Sequence, residues 1–132
     1  MDQRHRDWKG SKWIRKERRL GIYLRDGLAC VWCGATVEDG SQLSLDHIVP
    51  ASRNGGHESA NLATACSKCN TARGNRSVTE FAKVVADYLN HDATAEEIAR
   101  HVKNCTRRTV KLAEAKRLIA RRGSISRVLN PE

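Results

Sequence analysis

Four cysteines stand in two Cys-x-x-Cys pairs, Cys30 with Cys33 and Cys66 with Cys69. Each pair can deliver two thiolates from one tight turn, and a tetrahedron of four thiolates is a common ligand set of structural zinc sites. The 32 residues between the pairs, 34–65, exceed the insert of a simple zinc ribbon, so a structured segment is expected there. We predict a structural zinc ion on these four residues, because four thiolates leave no open position for water.

An Asp-His dipeptide, Asp46-His47, lies between the cysteine pairs in a segment, 43–49, that alternates in polarity. The alternation predicts a strand, and neighbouring strand residues point to opposite faces. The two side chains should therefore do different jobs. The carboxylate offers a hard oxygen to a divalent cation, and the imidazole can take a proton from water near neutral pH. Asn70, on a predicted helix over 67–76, can add an amide oxygen, and an all-oxygen site favours Mg²⁺ or Mn²⁺ over zinc. Taken alone, an Asp-His pair is more often structural than catalytic.

The order of these elements resembles the HNH endonuclease family. The pattern is C-x-x-C, then L-D-H-I-V-P, then N-L, then C-x-x-C-N followed by R-G-N. The resemblance covers about residues 25–76 and implies the ββα-metal fold, in which two strands and a helix surround one divalent cation. It implies that His47 is the general base and that Asp46 and Asn70 bind the catalytic cation.

The same resemblance implies that Asn61 pins the loop between the strands and so orients the base. The intervals of 14 positions from His47 to Asn61 and of 9 positions from Asn61 to Asn70 are similar to those of the family. Many members carry His where this chain has Asn70. The amide at this position points to magnesium or manganese as the catalytic ion.

Basic charge lies on both sides of the motif segment. The net charge is +6 over residues 1–25, −1 over 26–76 and +4 over 77–132, and +9 over the whole chain. This distribution predicts a polyanionic partner, nucleic acid before membrane, with phosphates held on both sides of a near-neutral cation site. The expected phosphate contacts are Lys68, Arg73, Arg76, Arg107 and Arg108. The alternative is a solvated basic face on a soluble protein.

The predicted fold class is α+β. A small ββα-metal core, stabilised by the four-cysteine zinc site, is expected over 26–76. A basic N-terminal arm and helix over 1–25 and a helical extension over 77–132 should flank it. The helix of the arm is expected to begin at Ser11. Aromatic residues make up only 5% of the chain, so a metal staple would supplement a thin hydrophobic core.

Residues 94–112 resemble a helix-turn-helix, with a turn at 103–105 and both Arg107 and Arg108 on the second helix. The alternative is a plain helical pair that packs on the core. The helix that starts near Thr79 offers a surface for a possible homodimer. Elsewhere, His57 is expected on the surface of a Gly-rich loop, and Cys105 is expected as a small buried hydrophobe.

No apolar run approaches the length of a membrane span, and the N-terminus lacks the apolar core of a signal peptide. A cytoplasmic protein without a membrane partner is therefore expected, and in a reducing compartment paired cysteines indicate metal binding. The candidate functions are an HNH endonuclease acting on DNA, a non-catalytic zinc-stabilised nucleic-acid-binding module, and a Cys-x-x-Cys redox protein. The basic flanks and the two asparagines argue against the redox protein. A binding module would not need Asp46, His47, Asn61 and Asn70 together, which favours the nuclease.

Overall fold

The computed structural model describes residues 13–89 and 93–131. The helices are α1 (Lys16–Arg25), α2 (Ser67–Arg73), α3 (Val78–Leu89), α4 (Ala95–Arg107), α5 (Leu112–Arg122) and α6 (Ile125–Leu129), and the strands are β1 (Leu43–His47) and β2 (Leu62–Cys66). The backbone of Arg15 is extended, so α1 begins later than expected, and Ser11 lies outside the described residues. Among the described helices, none combines the length and the apolar character needed to cross a membrane.

β1 and β2 form an antiparallel pair in which Leu43 lies opposite Cys66 and His47 lies opposite Leu62. β1 ends at His47, two residues before the predicted end. α2 follows β2 directly along the chain and packs against both strands. The result is the ββα arrangement that the resemblance implies, and the predicted fold class is confirmed.

The two faces of this small sheet carry different side chains. Ser44 and Asp46 project from β1 towards α2, where both accept hydrogen bonds from its side chains. Leu45 projects the other way, into the core beside α1, and His47 packs against Trp13 on that same side. Alternation along the strand thus separates Asp46 from His47, as their adjacent positions predict.

The hydrophobic interior consists of two clusters, one on either side of the sheet. The zinc-side core contains Cys30, Val31, Trp32, Ala63, Ala65, Cys66, Cys69, Phe81, Ala82, Val85, Ile98, Val102 and Cys105. The α1–α5 core contains Ile14, Leu20, Ile22, Tyr23, Leu45, Leu62, Ala115 and Ile119. α3 and α4 pack together on the first side and α1 and α5 on the second, so the flanking helices contribute apolar side chains to both clusters.

The outer edge of β2, which β1 does not cover, is closed by three residues. The carboxylate of Asp26 accepts the N–H of Thr64 at 2.9 Å, and the carbonyl of Thr64 accepts the N–H of Val31, also at 2.9 Å. Arg25, in a fully buried ion pair with Asp26, donates to the carbonyl of Leu62 at 2.7 Å. An uncovered strand edge can pair with a strand of another chain, and these contacts cover the outer edge of β2. They also fix α1 to the strand that leads into the second cysteine pair.

α4 runs without a break from Ala95 to Arg107, so the turn predicted at 103–105 is wrong. Its apolar face continues through Cys105, which is fully buried as predicted, and this burial keeps the helix intact. Arg107 is the last residue of α4 and Arg108 is its C-cap, so neither lies on a recognition helix. Because α4 packs on α3 whereas α5 packs on α1, these helices follow the alternative of plain packing on the core.

Candidate active site and metal centres

The four cysteine side chains of the two pairs meet beside the first turn of α2. Their sulfur atoms all lie within 4.8 Å of one another, and the Sγ atoms of Cys33 and Cys66 are 3.8 Å apart. Zinc–sulfur bonds of about 2.3 Å in a tetrahedron place neighbouring sulfur atoms about 3.8 Å apart. The donor set and its dimensions therefore fit a structural zinc ion.

Two different local structures present these ligands. In the first, the N–H of Gly34 donates to the carbonyl of Cys30 at 2.9 Å, and Gly34 has a φ of +80°, which only glycine adopts without strain. In the second, Cys66 is the N-cap of α2, and its Sγ accepts the N–H of Cys69 at 3.4 Å. The start of α2 is thus part of the cysteine site.

The thiols perturb one another strongly when no metal neutralises them. Burial raises the pKa of Cys33 to about 11. The thiol of Cys69 donates to Cys30, which raises the pKa of Cys69 and lowers that of Cys30 to about 5. Zinc binds cysteine as the thiolate, so binding at this site would release the protons that the thiols hold.

Asp46 is buried, with 6% of its surface exposed. Only one of its two carboxylate oxygens accepts hydrogen bonds from the described residues. Its Oδ2 atom accepts the indole N–H of Trp32 at 3.0 Å and the Nη1 group of Arg73 at 2.9 Å. Within the described residues, Oδ1 accepts no hydrogen bond. The orientation of the carboxylate is thus fixed while one oxygen is left for a cation.

Arg73 has a structural position that the sequence did not predict. Its side chain is 1% exposed, and its guanidinium donates to Asp46, to the carbonyls of His47 and Ile48, and to the carbonyl of Arg76. It also lies 5.3 Å from the centre of the Trp32 ring. With its three nitrogen atoms all donating inside the molecule, Arg73 joins α2 to the end of β1 and is not exposed for the expected phosphate contact.

Asn70 lies one turn before Arg73 on the same face of α2. Its Nδ2 group donates to the hydroxyl of Ser44 at 2.9 Å and to the carbonyl of Leu45 at 3.2 Å. Both amide protons are therefore used by β1, and Oδ1 accepts no hydrogen bond from the described part of the chain. Leu45 is the residue before Asp46, so the hydrogen bond to its carbonyl places Asn70 beside Asp46 on the α2 side of β1.

His47 lies half-buried on the opposite face in a cluster of three rings. Its Nε2 atom is 2.9 Å from Nδ1 of His57. The ring of Trp13 lies 5.1 Å from that of His47 and 4.6 Å from that of His57. Burial, and secondarily repulsion from His57, lower the pKa of His47 below its ordinary value of 6.5. The imidazole is therefore neutral at pH 7, as a proton acceptor must be.

The loop between the strands is held by the side chain of Asn61. Its Oδ1 atom accepts the N–H of Val49 at 2.8 Å, and its Nδ2 group donates to the carbonyls of Val49 and Gly56 at 3.1 and 2.9 Å. Gly55 lies so close to the chain at Val49 that a Cβ there would stand 1.6 Å from a carbonyl oxygen. Asn61 makes the loop contacts that the resemblance implies, and the loop they fix carries His57.

With this geometry in place, comparison with known proteins identifies the motif segment. Residues 30–76 match the family model described as HNH endonuclease. This segment is therefore similar to HNH endonucleases, and the match covers a little over a third of the chain.

Two further comparisons used the whole chain as the query. No curated protein matches it. Among solved structures, it is similar to the Type II-C Cas9 enzyme from Actinomyces naeslundii, with 24% identity and a TM-score of 0.45. That likeness covers 80% of this chain and 13% of the Cas9 chain, so the chain spans a small part of that enzyme's length.

The other basic residues expected to contact phosphate lie on the surface. Lys68 is exposed on α2, and its ammonium donates to the hydroxyl of Tyr88, which raises the pKa of Lys68. Arg76 is exposed just after α2 and donates to the carbonyl of Ala72 at 2.6 Å. Arg107 and Arg108 are exposed on the extension beyond the domain.

The sequence did not predict that two further rings, those of Trp13 and His57, lie beside His47. His57 is exposed, as predicted for a surface residue, yet its ring contacts His47. A histidine ten positions after His47, in a loop that Asn61 fixes, was a signal for this contact. Trp13 gave no such signal, because only the packing of α1 brings it to the site.

Proposed function

We propose that the chain is a metal-dependent endonuclease that hydrolyses phosphodiester bonds in DNA. His47 is the general base, and Asp46 and Asn70 bind one Mg²⁺ or Mn²⁺ ion. The proposal rests on the hydrogen bonding of Asp46 and Asn70. Each residue uses its other polar atom to fix the side chain, and each keeps Oδ1 available. Hard oxygen donors of this kind suit a hard divalent cation.

When bound, such a cation supplies a positive charge that stabilises the phosphate oxygens and the leaving alkoxide. The protein fixes the donors in advance. Arg73 and Trp32 orient the carboxylate of Asp46, and β1 orients the amide of Asn70. Little reorganisation then remains for the moment of reaction.

His47 accepts the proton of the attacking water. In the tautomer in which Nδ1 of His57 donates, Nε2 of His47 is the acceptor, which is the state that a base needs. A water molecule that replaces His57 at this atom would find the same acceptor. Asn61 fixes the loop that carries His57 through its contacts at Val49 and Gly56.

The four cysteines bind a structural zinc ion in this proposal, away from the reacting atoms. The exposed residues Lys68, Arg76, Arg107 and Arg108 remain proposed contacts for the DNA backbone. Arg73 is left out of that set, since its guanidinium serves Asp46 and β1. Neither the structure nor the comparisons support the homodimer considered from the sequence.

The test is cleavage of supercoiled plasmid in Mg²⁺ or Mn²⁺ by the wild-type chain and by His47→Ala. Loss of a general base should slow cleavage about 10²- to 10⁴-fold. His101→Gln is the matched control, because it removes an exposed histidine on α4 and should keep the wild-type rate. Equal cleavage by wild type and His47→Ala would refute the role of His47. Binding of DNA without cleavage in any divalent metal would favour the non-catalytic module.

A further inference from the structure

A basic groove opens between the start of α1 and the start of α5. Its volume is about 700 Å³, within the range of roughly 300–1,000 Å³ typical of ligand sites. The lining residues relevant to its chemistry are Trp13, Arg15, Glu17, Arg18, Leu112 and Lys116. Three cationic side chains face one carboxylate, so the groove is suited to an anion.

Arg15 and Lys116 supply the charge that is free for a partner. Both side chains are exposed, and neither forms an ion pair with another described residue. Leu112, on the same wall as Lys116, is 40% exposed and adds an apolar surface. Cations combined with apolar and aromatic walls are suited to a sugar–phosphate chain, whose phosphates are anionic and whose sugars and bases are partly apolar.

The groove is continuous with the HNH site at two points. The ring of Trp13 forms part of its wall and also contacts the rings of His47 and His57. The Nη1 group of Arg18 donates to the hydroxyl of Ser59 at 3.0 Å, and Ser59 lies in the short 3₁₀ turn that contains Asn61. A strand that leaves His47 past Trp13 therefore enters the groove.

We propose that this groove binds the sugar–phosphate backbone of the substrate DNA on one side of the cut, with Arg15 and Lys116 each neutralising a phosphate. The assignment rests on the proposed function, since it assumes that the DNA strand is cut beside His47. It gives the N-terminal helix and α5 a shared task in substrate binding. The basic flanks, far apart in sequence, pack against each other and together line the groove.

The decisive comparison is between two doubly substituted chains. Arg15→Gln with Lys116→Gln removes two charges from the groove. Lys83→Gln with Arg100→Gln removes two charges from α3 and α4, on the other side of the sheet. Zinc content and circular dichroism should show that both variants fold as the wild type does.

Binding is measured by fluorescence anisotropy on a labelled duplex across a range of salt concentrations, in buffer that contains neither Mg²⁺ nor Mn²⁺ and no chelator that would remove zinc. The groove variant should bind about tenfold more weakly and lose about two from the slope of log Kd against log salt, one for each phosphate contact. The control should stay within about threefold of wild type with nearly the same slope. If both variants weaken binding equally, overall charge rather than the groove holds the DNA, and the inference is overturned.

Cleavage in Mg²⁺ or Mn²⁺ separates this inference from the proposed function. If the wild type cuts, kcat/KM of the groove variant should fall by the same factor as its affinity, while the control keeps the wild-type value. A groove variant with wild-type kcat/KM would contradict the inference. If the wild type binds but never cuts, the proposed function fails, and the anisotropy comparison alone decides whether the groove binds DNA.

Discussion

The environment of the His47–His57 pair sets the pH range in which His47 can act as a base. The groups around His47 act in both directions. Burial and His57 lower its pKa below 6.5, whereas Asp46 and Glu58 oppose the shift more weakly. A base with a lowered pKa stays neutral to lower pH, so it keeps working where an ordinary histidine would be protonated.

We therefore expect the acid limb of kcat/KM for cleavage to have its midpoint below pH 6.5, because the pKa of the free-enzyme base is lowered. His57→Gln should move that midpoint upwards, towards 6.5, since it removes one of the two lowering causes and leaves burial in place. The measurement is a pH–rate profile at saturating metal.

The matched control for this profile is again His101→Gln, which lies away from the rings and should leave the midpoint unchanged. A wild-type midpoint above 6.5, or a downward shift in His57→Gln, would show that the ring cluster does not tune the base as described.

At the scale of the element, α2 is held at both of its ends. Cys69, in the first turn, belongs to the cysteine site. Arg73, the last residue of the helix, donates to the carboxylate of Asp46 and to the carbonyl of His47 in β1. Asn70 lies between these two attachments. The short helix cannot hold itself in place, since isolated helices below about 12–15 residues are marginal in water. The cysteine site therefore helps to position the amide of Asn70, to which the proposed function gives the catalytic cation.

We expect Cys66→Ser to lose zinc and, with it, the native fold. Zinc binding contributes roughly 10–16 kcal/mol in zinc-finger peptides, as much as the whole stability of a typical domain, roughly 5–15 kcal/mol. The measurements are zinc content by atomic absorption and thermal unfolding by circular dichroism. Cys105→Ala is the control, because it removes a buried thiol outside the cluster and should keep one zinc per chain. A metal-free Cys66→Ser chain that folds stably would contradict this role of zinc.

The elements that the sequence predicts well are those with a local cause. α4 begins just after the Thr94 capping box, at the start of the segment 94–112 in which helices are expected, and alternation from Leu43 predicts β1 to within two residues at its end. The Cys-x-x-Cys spacing predicts the cysteine cluster. Contacts between distant elements were not predictable from pattern. Arg73 looks like any exposed basic residue until α2 packs on β1 and buries it. Trp13 reaches His47 only because α1 is attached to β2.

At the scale of the molecule, the sheet separates two cores with different dependence on metal. The zinc-side core lies against all four ligands, whereas the α1–α5 core is formed by α1, α5 and the residues of the sheet that face them. Ile119 is 6% exposed in the α1–α5 core. Truncation of such a side chain costs about 2–5 kcal/mol, because the surroundings close the cavity only in part. This is a large fraction of the stability of a single domain.

We therefore expect Ile119→Ala to lower the free energy of unfolding by about 2–5 kcal/mol while the folded chain keeps one zinc ion. Denaturant unfolding followed by circular dichroism gives the first quantity, and zinc content of the native protein gives the second. Val84→Ala removes methyl groups from a side chain that is 39% exposed, and it should cost less than about 1 kcal/mol. If Ile119→Ala released zinc under native conditions, the two cores would not be separable, and α5 would have to support the cysteine site through the sheet.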